Sequence, residues 1–86
     1  MIADMPVIAR FYGIAIRMYS REHGVPHFHA IYGDSNAVFA IETLDLLEGR
    51  LPNRAHRLVR EWAAEHQADL QEMWRTQIFR QLSGLE

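Results

Sequence analysis

His27-Phe28-His29-Ala30-Ile31-Tyr32, then Gly33-Asp34-Ser35-Asn36, then Ala37-Val38-Phe39-Ala40-Ile41-Glu42 is the stretch on which the fold turns. Two runs of apolar, β-branched and aromatic residues flank four residues that favour turns. That pattern predicts an antiparallel hairpin. Side chains alternate along a strand, so Phe28, Ala30, Phe39 and Ile41 share one face, and His27, His29 and Glu42 share the other. With residues 33–36 as a four-residue loop, Tyr32 pairs with Ala37, His29 lies opposite Ala40, and His27 lies opposite Glu42. Opposed residues have Cβ atoms about 5 Å apart, so a carboxylate is expected beside an imidazole.

The same reading extends to both sides. Residues 7–11 and 14–19 predict two more strands around a tight turn at Tyr12-Gly13. Ile14, Ile16 and Met18 then face the core, and Arg17 joins the histidine face. Residues 22–26, Glu-His-Gly-Val-Pro, form a loop, because Gly and Pro interrupt regular structure. Residues 44–48 predict a short fifth strand or a turn. Past Pro52 there is no Gly or Pro until Gly84. Apolar residues recur there at spacings of three and four, which predicts a helical segment over about residues 53–82, with Asn53 as N-cap and a kink or break near residues 66–69. Trp62 and Trp74 fall on its apolar stripe. The expected fold is α+β: a small antiparallel sheet of four to five strands, with a C-terminal helical segment, long or kinked, packed on one face.

Bulk properties bound the rest. The chain has 86 residues, enough for a single domain, and 49% of them are hydrophobic, enough for one core. There is no cysteine, which excludes disulfides and thiolate metal sites. No apolar run is long enough to cross a bilayer and no signal peptide is evident, so a cytoplasmic protein without membrane association is expected. The net charge of -2 argues against general nucleic-acid binding. All nine basic residues are arginine, the residue best suited to bidentate contact with carboxylate or phosphate.

Three uses fit the histidine face. It can be a hydrogen-bonded, half-exposed sheet surface. It can be a proton-transfer site in which His27, His29 and Glu42 act with Arg17. It can hold a divalent metal such as zinc through His27 and His29, with His23 or Glu42 completing the shell. A nucleophile motif and a Gly-rich phosphate loop are both missing. A second candidate site is the basic cluster Arg50, Arg54 and Arg57. Cations at a helix N-terminus oppose the macrodipole, so the cluster suggests an anion such as RNA phosphate or an acidic partner. The alternative is that Arg57 and Arg60 pair with Glu61 and other nearby acids. The acidic stripe of Glu61, Glu65, Asp69 and Glu72 reads as a solvated face.

The run Met5-Pro6-Val7-Ile8-Ala9-Arg10-Phe11-Tyr12-Gly13, with Ile16-Arg17-Met18-Tyr19, resembles the opening of a small bacterial family, domain of unknown function 4160. Pro26-His27-Phe28-His29 with Tyr32-Gly33, Ile41-Glu42, Glu48-Gly49, Leu51-Pro52, Glu61-Trp62-Ala63 and His66 continue the likeness, in order, to about Trp74. Val25 stands where the family commonly has a second proline. The family's usual start corresponds to Met5, which marks Ile2 to Asp4 as an extension. The resemblance brings no reaction with it. It implies a small protein partner, because genes of this family often neighbour those of domain of unknown function 2442. By analogy with other two-gene cassettes, it implies one half of a toxin–antitoxin-like pair, acting through protein or RNA contacts. A homo-oligomer joined through the sheet face is the remaining expectation.

Overall fold

The computed structural model describes residues 6–85. The reading of Ile2 to Met5 lies outside them. Five strands and two helices follow in order: β1 (Val7–Phe11), β2 (Ile14–Arg17), β3 (His27–Tyr32), β4 (Ser35–Ala40), β5 (Leu46–Gly49), α1 (Asn53–Glu65) and α2 (Gln67–Thr76). The strands form one antiparallel meander in sequence order. This is the expected α+β fold.

The faces fall as the alternation requires. Ile14, Ile16, Phe28, Ala30, Phe39 and Ile41 are buried. The apolar stripe of α1 closes over them. Trp62 is fully buried, stacks on Phe11 at 5.6 Å and meets Phe28 edge-on at 6.0 Å.

Two turns set the registers. Phe11 pairs with Ile14 around Tyr12 and Gly13, whose φ values are 51° and 82°. Positive φ at both central residues is the type I′ arrangement that suits a two-residue hairpin. The β3–β4 turn is also two residues long. Tyr32 pairs with Ser35 rather than Ala37, and Gly33 alone takes positive φ, at 59°. That fits a type II′ turn, with glycine at its first central position. Ser35 and Asn36 therefore belong to β4. The register is displaced by two residues from the expected one, so every side chain keeps its face and every cross-strand partner changes.

Gly49 closes the sheet. Its φ is +71°, and its backbone lies so near β4 that an added Cβ would overlap Asn36 O and stand 3.2 Å from Ala37 Cα. Gly49→Ala is expected to lower the unfolding free energy by about 2 kcal/mol or more, through strain and loss of the β4–β5 contact. Urea unfolding measures it, and an unchanged midpoint would contradict this account.

The helical segment departs from expectation at its two ends and breaks where expected between them. Pro52 occupies the N-cap position with no side-chain capping bond, and Asn53 is the first helical residue. Arg50 therefore precedes the helix, and only Arg54 and Arg57 of the basic cluster stand on it. The expected break is at His66, where φ and ψ are -120° and 20°. No Gly or Pro marks it; beside the break, Gln67 Nε2 donates to Ile41 O and Glu42 O at 2.7 and 2.8 Å and ties the start of α2 to the end of β4. Last, α2 stops at Thr76, well before residue 82, because Gln77 is left-handed with φ 62°. The following residues turn back along β1. Leu82 N donates to Ile8 O at 2.7 Å, and Trp62 Nε1 donates to Ser83 O at 2.7 Å. Arg80 pairs with Asp69 at 2.7 Å, and this guanidinium holds the Asp69 carboxyl below the ordinary range. Among the described residues, no helix is long and apolar enough to cross a membrane.

Candidate metal centre

His27 and His29 leave β3 on the same face, as their spacing demands, and their rings lie 5.3 Å apart. The carboxylate between them is Glu22, not Glu42. Glu22 Oε1 lies 2.9 Å from His27 Nε2 and 2.9 Å from His29 Nε2. The β2–β3 loop folds back over the start of β3 to bring it there. Arg21, left-handed at φ 64°, turns the chain, and its N–H donates to Gln77 Oε1 at 2.9 Å. The end of α2 thus holds the loop in place.

The walls restrict both rings. Trp74 packs on His27 at 5.0 Å, and Tyr19 meets His29 edge-on at 4.4 Å. The side chains of His27, His29 and Glu22 are 11%, 22% and 30% exposed. The cluster is partly screened from water yet reachable from it. Beyond His29 the sheet surface dips into a hollow of about 270 Å³, bordered by Asn36, Val38 and Glu48.

The hydrogen bonds of His27 define its chemistry. Nδ1 lies 2.8 Å from Val25 O. A carbonyl can only accept, so Nδ1 carries the proton. The other nitrogen, Nε2, faces a carboxylate oxygen of Glu22. A ring nitrogen and a carboxylate oxygen at 2.9 Å need a positive centre between them, either the second N–H of an imidazolium or a bound cation. A metal-bound histidine needs this same arrangement, one nitrogen ligating and the other donating to a backbone carbonyl. The ligand atoms of Glu22, His27 and His29 all lie within 4.8 Å of one another. Tetrahedral zinc with bonds near 2.1 Å sets its ligand atoms about 3.4 Å apart, which falls between the 2.9 Å of the two glutamate–histidine contacts and the 4.8 Å limit of the cluster.

The model of the family Domain of unknown function (DUF4160) matches residues 13–75. The chain belongs to this family. The DUF4160 match begins at Gly13, later than the resemblance read from Met5, and contains all three clustered residues as well as Trp74. No curated protein and no solved structure shows a significant match.

The remaining expected residues of this DUF4160 chain are placed as follows. Arg17 lies directly opposite His29 and is half-buried, at the flank of the cluster. Glu42 falls beyond the end of β4 and is exposed, while His27 faces Ala40 and His29 faces Val38. The expected His27–Glu42 pair is therefore not formed, because the hairpin turn is two residues long. His23 is exposed and lies outside the ligand cluster, although its neighbour Glu22 is inside it. Arg54 lies over Tyr12 at the β1–β2 turn and the Arg50 backbone bonds to Asn36 near the β3–β4 turn, while Arg57 stands one turn further along α1. Among the described residues, Arg80 pairs with Asp69 and Glu72, whereas Arg57 and Arg60 have no carboxylate at ion-pair distance, so the alternative pairing with Glu61 and other nearby acids is not formed.

Sequence reasoning missed Glu22 and Trp74. The signal for Glu22 was its place in a Gly- and Pro-containing loop just before the two histidines. For Trp74 there was none, since a tryptophan on an apolar stripe reads as core.

Proposed function

We propose that this protein binds a divalent metal ion through Glu22 Oε1, His27 Nε2 and His29 Nε2. The observation that carries the reading is the convergence of His27 Nε2 and His29 Nε2 on Glu22 Oε1 at 2.9 Å each, with the His27 ring oriented by its Nδ1 contact to the Val25 carbonyl. Two histidines and one carboxylate are a donor set that leaves a coordination position open. The hollow beside His29, where Glu48 and Asn36 supply polar groups, would give such an ion room for a further ligand. An ion so held would polarise a bound water or a carbonyl or phosphoryl oxygen, which suits hydrolysis better than a purely structural role. Tyr19 and Trp74 would keep the rings in register, and Arg17 would set positive charge beside His29.

The test is metal content. The purified chain is loaded with zinc, freed of excess and measured by elemental analysis, beside a His27→Ala/His29→Ala variant shown to be folded by circular dichroism. One ion per chain is expected in the first and essentially none in the second. Equal content in the two would overturn the reading.

A further inference from the structure

We propose that the end of the molecule formed by Tyr12, Tyr32, Arg50, Arg54 and Arg57 binds single-stranded RNA, with phosphates on the guanidinium groups and bases on the tyrosine rings. This surface lies at the hairpin tips, away from the histidine cluster, and the inference does not rest on the metal reading. Ile14 and Tyr32 are cross-strand neighbours, so the two tips stand side by side. A Cβ on Gly13 would come within 3.3 Å of the Tyr32 ring, which shows how closely they pack. Arg50 N donates to Asn36 O at 3.0 Å, and that bond brings Arg50 to the same end.

Three observations point to the occupant. Arg50, Arg54 and Arg57 are exposed, and among the described residues none has a carboxylate at ion-pair distance. Three unneutralised guanidinium groups complement a phosphate chain despite the net charge of -2. Next, Tyr12 and Tyr32 are 49% and 39% exposed, so both rings offer surface for stacking. Third, Tyr12 occupies a left-handed position, φ 51°, that asparagine or glycine fills without strain. The turn does not require an aromatic there. Arg54 lies 5.7 Å from the centre of that ring, so cation and ring form one surface. The hollow between the two tyrosines, about 50 Å³, is too small for a base, which leaves stacking on the outer ring faces. Alternating rings and guanidinium planes are the means by which unpaired RNA bases are held.

Fluorescence anisotropy with a labelled oligouridine tests this, with EDTA present so that a bound metal plays no part. Binding that weakens as salt rises is expected. Tyr12→Asn relieves the backbone strain, so the thermal midpoint should not fall, yet affinity should drop about fivefold or more. Arg54→Gln and Arg57→Gln should each flatten the salt dependence. No binding by the unaltered chain, or unchanged affinity in Tyr12→Asn, would overturn the proposal. So would equal or tighter binding of polyglutamate, the sign of an acidic protein partner, or tighter binding of oligodeoxythymidine.

Discussion

Glu22→Gln is expected to lower zinc affinity about a hundredfold or more, while Glu42→Gln leaves it unchanged. The amide keeps the size of the carboxylate and loses its charge and its capacity as an anionic ligand. Glu22 Oε1 is the atom on which both imidazoles converge, at 2.9 Å each. Glu42 is exposed and touches neither ring; only its backbone carbonyl is engaged, by Gln67. Competition with a chromophoric chelator measures both variants. Equal affinities for Glu22→Gln and the unaltered chain would remove Glu22 from the site. A loss in Glu42→Gln would restore the register expected from sequence. The contrast between two glutamates makes the measurement decisive, since a general effect of charge would act on both.

Trp62→Ala is expected to cost about 3–5 kcal/mol, the range for emptying a large aromatic site in a core. Domains of this size are stable by only about 5–15 kcal/mol, so about a fifth or more of the total is at stake. The midpoint should fall by on the order of 20 °C. Trp62 stacks on Phe11 and meets Phe28 edge-on, so it joins α1 to two strands at once. Its indole N–H also holds the returning C-terminal segment through Ser83 O. Trp62→Phe separates the two contributions. It retains most of the packing and leaves the carbonyl without its donor, so a loss of about 1–2 kcal/mol is expected. Thermal unfolding followed by circular dichroism reads both variants. A small change in Trp62→Ala would mean that the helix is held elsewhere.

The outcome at His27 and His29 shows how far the sequence reaches. Their common face follows from the period of a strand, which survives any register error of two residues. Their partner does not follow from it. Gly33, Asp34, Ser35 and Asn36 are all good turn residues, and composition does not say which two make the turn. The chain used Gly33 and Asp34, and Glu42 was carried past the histidines. Glu22 reaches the site through a loop whose path depends on Gln77, distant in sequence, and no local pattern encodes such a contact. The end of α2 was hidden for a similar reason. Leu82 continues the helical spacing, but its burial is gained by lying against β1 instead. The break at His66 was expected from length, although neighbouring residues give no cause for it.

One feature of the sheet governs how this chain can associate. The returning C-terminal segment bonds to β1 through Leu82 and Ile8, so that border of the meander is already occupied. β5 is the other border, with Leu46 and Leu47 exposed and the bend at Gly49. A sheet with one available border can accept a strand from another molecule once, and the joined pair then has none left to offer. Growth stops at two. Chains with two available borders can add partners without end and form fibres. The bond between Leu82 and Ile8 therefore limits any pairing through strands of this sheet to a self-terminating one.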